Sequence, residues 1–393
     1  MTCRRYLHLS GLLVVLVVIF SQWLWTAAAQ RGSPSPEFRV DPFWPKPLPS
    51  VKDETGLSHQ WVTGEPGATC IDSQDHVITV NRGFLRGGLL GQEGASSIPA
   101  PPIIEFDPEG RIVHSWGDAT LTPEGTTAVL PNGIHGCFVD HENNIWLAGN
   151  ADGIVQKWTH DGTKMLLQIG TKGVCDGPAT PGRPYPSCGE PGNNTSQTLL
   201  NNPADIAVDS NPDPVTGERG SAYIADGYGN HRIVVFNSQG KYLRQWGSAG
   251  SGPGQFVPKG GGHPHCVVLG NDGLVYACDR GNNRIQVFDR TGNLRRIIAV
   301  DPPDQMKSTN RVCDLVFSPD DKQTFIYITD LGSARIWIVE RESGRLVGGV
   351  GRAGHMAGEL TFPHTVVADS RGNLYVSETI GGRRSQKFLR VRG

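Results

Sequence analysis

Helix-forming sequence is what this chain has least of. No amphipathic helix of ordinary length separates its short apolar runs, which excludes a doubly wound α/β fold. Cationic excess is missing too. The formal net charge is −2, basic residues are scattered, and the Arg383-Arg384 pair is too short to form a patch, so nucleic acid is not an expected partner. Glycine-rich phosphate loops, serine-nucleophile motifs and paired-carboxylate signatures do not stand out. What is abundant is turn chemistry: 51 glycines and 28 prolines in 393 residues, which suits an all-β chain with many turns.

One long hydrophobic run is present, at the N-terminus. Arg4-Arg5 precede apolar sequence from Leu9 to about Trp25, and Thr26-Ala-Ala-Ala29 offers an A-x-A-like cleavage site. Residues 1–29 are therefore expected to be a signal peptide, with an uncleaved anchor as the alternative. Either exports the rest of the chain, and an anchor would be its one membrane contact. Export permits disulfides. Cys175 and Cys188 bracket a Pro/Gly-rich loop, and Cys266 and Cys278 lie on two arms of a hairpin around Asn271-Asp-Gly273. Seven cysteines follow residue 29, so at least one is free or bonded to another chain.

Residues 30–50 read as a proline-rich lead-in arm, with Phe43-Trp44 expected to pin it to the body. Residues 51–393 carry the repeats. Asp226-Gly-Tyr-Gly-Asn-His-Arg-Ile-Val-Val-Phe236 is echoed by Cys278-Asp-Arg-Gly-Asn-Asn-Arg-Ile-Gln-Val-Phe288, each between short apolar strands and polar turns. About six such units follow one another, the first around Thr69–Phe106 and the last around Thr365–Leu389. Strand, turn, strand on a repeating template predicts a β-propeller, most simply six-bladed, closed by a strand near Gln60-Trp61-Val62 pairing into the last unit.

The units align on the residue that ends each innermost strand: Asp140, Asp209, Gly270, Ser318 and Asp369. Five residues earlier stand His135, Ala204, His265, Cys313 and His364. Equivalent positions of different blades converge on a propeller's axis, so three imidazoles meet there. That set suits zinc with a fourth position open, the pattern of catalytic sites. Cys313 shares the register, as a further soft ligand or a buried small residue. The other histidines read mostly as surface residues, with His263 as a supporting neighbour of His265.

The ordered combination of His135-Gly-Cys-Phe-Val-Asp140, the Tyr228 loop, Pro264-His265, Asp279-Arg280 and Pro363-His364 resembles the peptidyl-α-hydroxyglycine α-amidating lyases, which are NHL-repeat propellers. The resemblance runs from about Val80 to the C-terminus. It implies a catalytic zinc on His135, His265 and His364, an active-site tyrosine at Tyr228 and active-site arginines at Arg82 and Arg280. The family has an aspartate, associated with structural calcium, directly after the third histidine; Thr365 stands there and supplies no carboxylate. A family cysteine in the tyrosine loop is Gly229 here, so that disulfide is not expected.

The reaction implied breaks the C–N bond of a carbinolamide to give an amide and glyoxylate. Zinc would act as Lewis acid, Tyr228 as the base in its phenolate form, and Arg82 and Arg280 would hold the carboxylate. The expected substrate is a small molecule or peptide, and a monomer is expected. The alternatives are a related metal-dependent lyase or hydrolase with another substrate, and a non-catalytic exported propeller binding protein or glycan on its rim.

Overall fold

A computed structural model describes residues 34–82, 96–117, 129–180, 187–189, 192–258, 262–302 and 311–392. The leader (1–29) and most of the Gly-rich insertion after Arg82 lie outside the described residues. Everything below concerns the unit Pro36–Gly393.

The chain is all-β and propeller-like. Among the described residues six sheets have four antiparallel strands each. In four of them the strands run consecutively, as in Pro203–Asp209, Ser221–Asp226, Arg232–Phe236 and Tyr242–Trp246 of the third sheet, and in the first sheet only Ser97–Pro99 intervenes. The sixth is made of Pro363–Ala368, Leu374–Glu378 and Arg384–Arg392, with Glu37–Asp41 as its outer strand. This corrects the expected closing strand. Residues 60–62 instead lie in a small side sheet, within Ser58–Val62, between Ser50–Lys52 and Ser97–Pro99. The closing strand sits in the proline-rich arm itself, because Glu37–Asp41 is a proline-free interval between Pro36 and Pro42 and alternates in exposure. Trp44 does anchor the arm, against Phe106 and Tyr375, whereas Phe43 is exposed.

The core lies between sheets rather than inside one. Each apolar cluster joins two neighbours: Ile78 and Ile103 with Ile145 and Leu147, Ala148 and Val155 with Ile206 and Ile224, and so on to Trp44, Ile104 and Tyr375 at the closure. Trp146, Tyr223, Tyr276, Tyr327 and Tyr375 recur in the second strands and are all fully buried. Each such ring contributes about 1.5–3 kcal/mol by burial alone.

The repeat's polar residues have a structural duty. Arg232 Nε donates to Asp226 Oδ2 (2.9 Å), Arg284 Nε to Asp279 Oδ2 (2.7 Å) and Arg384 Nε to Glu378 Oε1 (2.7 Å). Each pair clamps the loop between the second and third strands, the loop that carries Tyr228 in the third sheet and Arg280 in the fourth. Cysteine pairs 175–188 and 266–278 are disulfides. So is 70–137, which ties the first strands of the first two sheets and had no hairpin spacing to announce it. Among the described residues Cys313 is the free cysteine.

Arg232 and Asp226 are both wholly buried, so removing one partner strands a charge. Arg232→Ala should cost about 3–5 kcal/mol, read as a fall in the urea midpoint. The exposed Arg295–Asp289 pair is the control, and Arg295→Ala should change stability by less than about 1 kcal/mol.

Candidate metal centre

The first strands of successive sheets pack side by side around a cavity of about 180 Å³. At the head of several of them the ladder skips one residue. The residues left out of register are Gly67, His135, Ala204 and His364, each a β-bulge. A bulge re-aims a side chain, and here it turns His135 and His364 inwards. In ring order the shared position reads Gly67, His135, Ala204, His265, Cys313, His364, small residues alternating with imidazoles.

The three histidines come together. Their ring centroids are 4.5–5.0 Å apart, and one nitrogen from each lies within 4.8 Å of the others. His135 Nδ1 donates to the Ala204 carbonyl (2.8 Å) and His265 Nδ1 to the Cys313 carbonyl (2.6 Å). These acceptors are the small residues at the same position of the next sheet. Gly67 is the corresponding neighbour of His364, but the interaction there is looser and His364 Nδ1 makes no full hydrogen bond. An Nδ1–H tied to a carbonyl leaves Nε2 as the lone-pair nitrogen. The Tyr228 hydroxyl lies 2.9 Å from His135 Nε2 and 3.1 Å from His265 Nε2, so both lone pairs converge beside it.

All three imidazoles are pushed well below their ordinary pKa. Burial is the main cause in each, followed by the positive charge of Arg82 for His135, of Arg280 for His265, and by His135 and Arg82 for His364. They are therefore neutral, the form that binds a metal. Cys313 contributes its carbonyl, while burial pushes its thiol up to about 12.

Arg82 and Arg280 stand at the same rim, each directly after the second strand of its sheet. Arg82 Nη2 donates to Thr379 Oγ1 (2.7 Å) and pairs with Glu65 (3.3 Å), and Arg82 Nε is buried without a partner. The Arg280 guanidinium lies over the Tyr228 ring at 5.6 Å. Gly67 permits this approach, since a Cβ there would stand 2.8 Å from Arg82 Cδ and 2.2 Å from the Ile134 carbonyl. Where the resembling family has a cysteine, a Cβ at Gly229 would meet Asn201 Oδ1 at 2.1 Å. His263 is buried and accepts the Gly281 N–H (3.0 Å), holding the turn that starts at Arg280. Of the remaining described histidines, His141 and His355 are exposed, His59, His76, His114 and His160 are half-buried, and His231 is buried.

The sequence reading did not single out Glu65, Thr379 or the acid pair Asp205 and Asp314. The two aspartates follow Ala204 and Cys313, line the cavity, and accept the Val267 and Val366 N–H groups (3.0 and 2.9 Å). Burial pushes both carboxyls up, and the Asp314 charge adds to the effect on Asp205. Their position, one residue past the small member of the alternating register, was the available signal. Thr365 lines the same cavity with its Oγ1 unpartnered.

The fold is propeller-like, and the chain resembles NHL-repeat proteins. An NHL-repeat profile matches residues 262–288. The chain is 24% identical to human NHL repeat-containing protein 3 over 368 residues, covering 90% of this chain and 84% of that one. It is 26% identical to rat peptidylglycine alpha-amidating monooxygenase over 332 residues, 80% of this chain but 29% of that one. A third relative is peptidyl-alpha-hydroxyglycine alpha-amidating lyase 1 of Drosophila melanogaster, 28% identical over 278 residues, 62% of this chain and 44% of that one. Among solved structures a streptogramin B lyase superposes with a TM-score of 0.52 at 13% identity, covering 90% of this chain and 98% of that one, a likeness of fold.

Two tests follow. The metal-free chain buries neutral imidazoles that take up protons near their ordinary pKa of about 6.5 once unfolded, so the unfolded state binds more protons just below that pH. Its stability should hold above about pH 6.5 and decline as pH falls from there towards the depressed folded values, as a melting series across pH 7.5 to 5 would show. Cys313 should resist alkylation at pH 8 in the native chain and react at once in denaturant.

Proposed function

We propose that the chain is a six-bladed NHL-type propeller, exported, that carries zinc on His135, His265 and His364. It cleaves the C–N bond of a peptidyl-α-hydroxyglycine-like carbinolamide to give an amide and glyoxylate. The observation that carries this reading is the convergence of the Nε2 lone pairs of His135 and His265 on the Tyr228 hydroxyl, with His364 beside them, at the mouth of the ring. The signal segment (1–29), the arm (30–50) and the propeller (51–393) are the proposed organisation, with the arm lending residues 37–41 to the last blade. The three disulfides support export.

The donor set fits zinc. Three neutral imidazoles from three blades, two with the tautomer fixed by a backbone carbonyl, match an open catalytic site in number and type. Zinc bound there supplies a Lewis acid that polarises an adjacent oxygen.

The chain's own residues do the rest. The substrate hydroxyl loses its proton, its C–O bond becomes C=O, and the C–N pair leaves with nitrogen, which gains a proton. Tyr228, between two imidazoles and under the Arg280 guanidinium, is the proton-transfer group. Arg82 and Arg280 orient the carboxylate that leaves on glyoxylate. The unpartnered Nε of Arg82 is a donor available for it. Thr365 provides no carboxylate, and no calcium at that position enters this reading.

Elemental analysis of the purified chain should find about one zinc ion fewer in His265→Ala than in the wild type. Tyr228→Phe should keep the metal and lower kcat for glyoxylate release by about 10²–10⁴-fold. If the folded wild type neither holds nor takes up zinc, the lyase reading fails and the chain is better described as a rim-binding scaffold.

A further inference from the structure

A second group of metal-ligating side chains lies away from the cavity. Asp72, His76 and Glu105 each present a ligand atom within 4.8 Å of the other two. Asp72 ends the first strand of the first sheet, so its turn lies at the rim opposite the head of that strand, where Gly67 and the three-histidine cluster are. Glu105 comes from the third strand of the same sheet. His160, in the turn between Ile154–Trp158 and Met165–Ile169 of the second sheet, reaches across to it.

The turn is built around Asp72. Its Oδ1 accepts the N–H groups of Gln74 and His76, both at 2.8 Å, which leaves Oδ2 facing His76 Nδ1 at 3.5 Å. His76 Nδ1 lies 2.8 Å from Glu105 Oε1, and His160 Nε2 lies 3.1 Å from Glu105 Oε2. A tetrahedral ion with bonds of about 2.0–2.1 Å has ligand atoms about 3.3 Å apart, so the observed separations bracket those of a filled site. The Asp72 and Glu105 side chains are only 1% and 7% exposed. Among the described residues no lysine or arginine pairs with either, and their close side-chain partners are the two imidazoles. Two buried carboxylates without a permanent counter-charge are costly, and a divalent ion would neutralise them.

We propose that Asp72, His76 and Glu105 form a second, structural metal site that takes zinc or a similar first-row divalent ion and, with His160 holding the other Glu105 oxygen, bolts the first sheet to the second. One imidazole and two carboxylates fit such an ion and disfavour calcium or magnesium, which take oxygen donors. The Glu105 hydrogen bond raises the His160 pKa. Metal and protons compete for the same nitrogen, so affinity falls on acidification.

The full chain is stripped with chelator, reloaded with zinc, dialysed and analysed for metal, alongside His265→Ala and the double variant His76→Ala/His160→Ala. Melting curves with and without zinc confirm folding and report the bolt. The wild type is expected to retain one more ion than the double variant, and His265→Ala is expected to keep that ion. Zinc should raise the melting temperature of His265→Ala and leave that site's contribution absent in a triple variant lacking all three histidines. Should the double variant misfold, Glu105→Gln, which keeps the shape and removes the charge, is measured in its place. Retention of as many ions by the double variant as by the wild type overturns the proposal. So does a His265→Ala chain that holds no zinc after dialysis, whatever the fate of the lyase assay.

Discussion

The bulge at the head of the first strands is the constraint on which the centre of this protein depends. A regular strand would point successive side chains to alternate faces and send none of them along the axis. One extra residue at the head of the strand turns His135 and His364 inwards instead. Six large groups could not share that space. The alternation of Gly67, Ala204 and Cys313 with His135, His265 and His364 resolves the crowding. The small residues do more than make room, because the carbonyls of Ala204 and Cys313 set which nitrogen of the preceding imidazole faces the centre. Backbone geometry, fixed by sheet pairing, thus determines the electronic character of a side-chain cluster.

The catalytic-looking loops are held by the same economy of parts. Asp226 and Asp279 are the repeat residues that bind the third-strand arginines, and Tyr228 and Arg280 follow them closely in sequence. A buried charge clamp leaves the next residues little conformational freedom. Chemistry can then be placed on the loop of one sheet without weakening the repeat that every sheet shares.

The strand pattern and the register of the three histidines were legible in the sequence because both are local: alternation, turn residues and a fixed offset from an aspartate. Two disulfides were legible for the same reason, by short spacing. The pairing of Cys70 with Cys137 was not, since it depends on two first strands becoming neighbours. Nor was the closing strand. Proline density concealed a five-residue interval, Glu37–Asp41, whose partner lies at the far end of the chain. Glu65 and Thr379 were invisible because only the ring brings them to Arg82. What escaped the sequence was long-range contact between residues with no motif of their own.

That closing pair bears on when the fold can form. Phe38 lies opposite Arg390, and Val40 opposite Phe388, among the most sequence-distant contacts the chain makes. Synthesis delivers the first of these strands long before the second. Until residues 384–392 emerge, the last sheet lacks the strand on which Glu37–Asp41 must dock, and the early segment waits with an open edge. Individual sheets rest on local hairpins and can assemble as they appear, whereas closure carries the loop entropy of almost the whole chain. Closure therefore comes after the local hairpins, once residues 384–392 have been made.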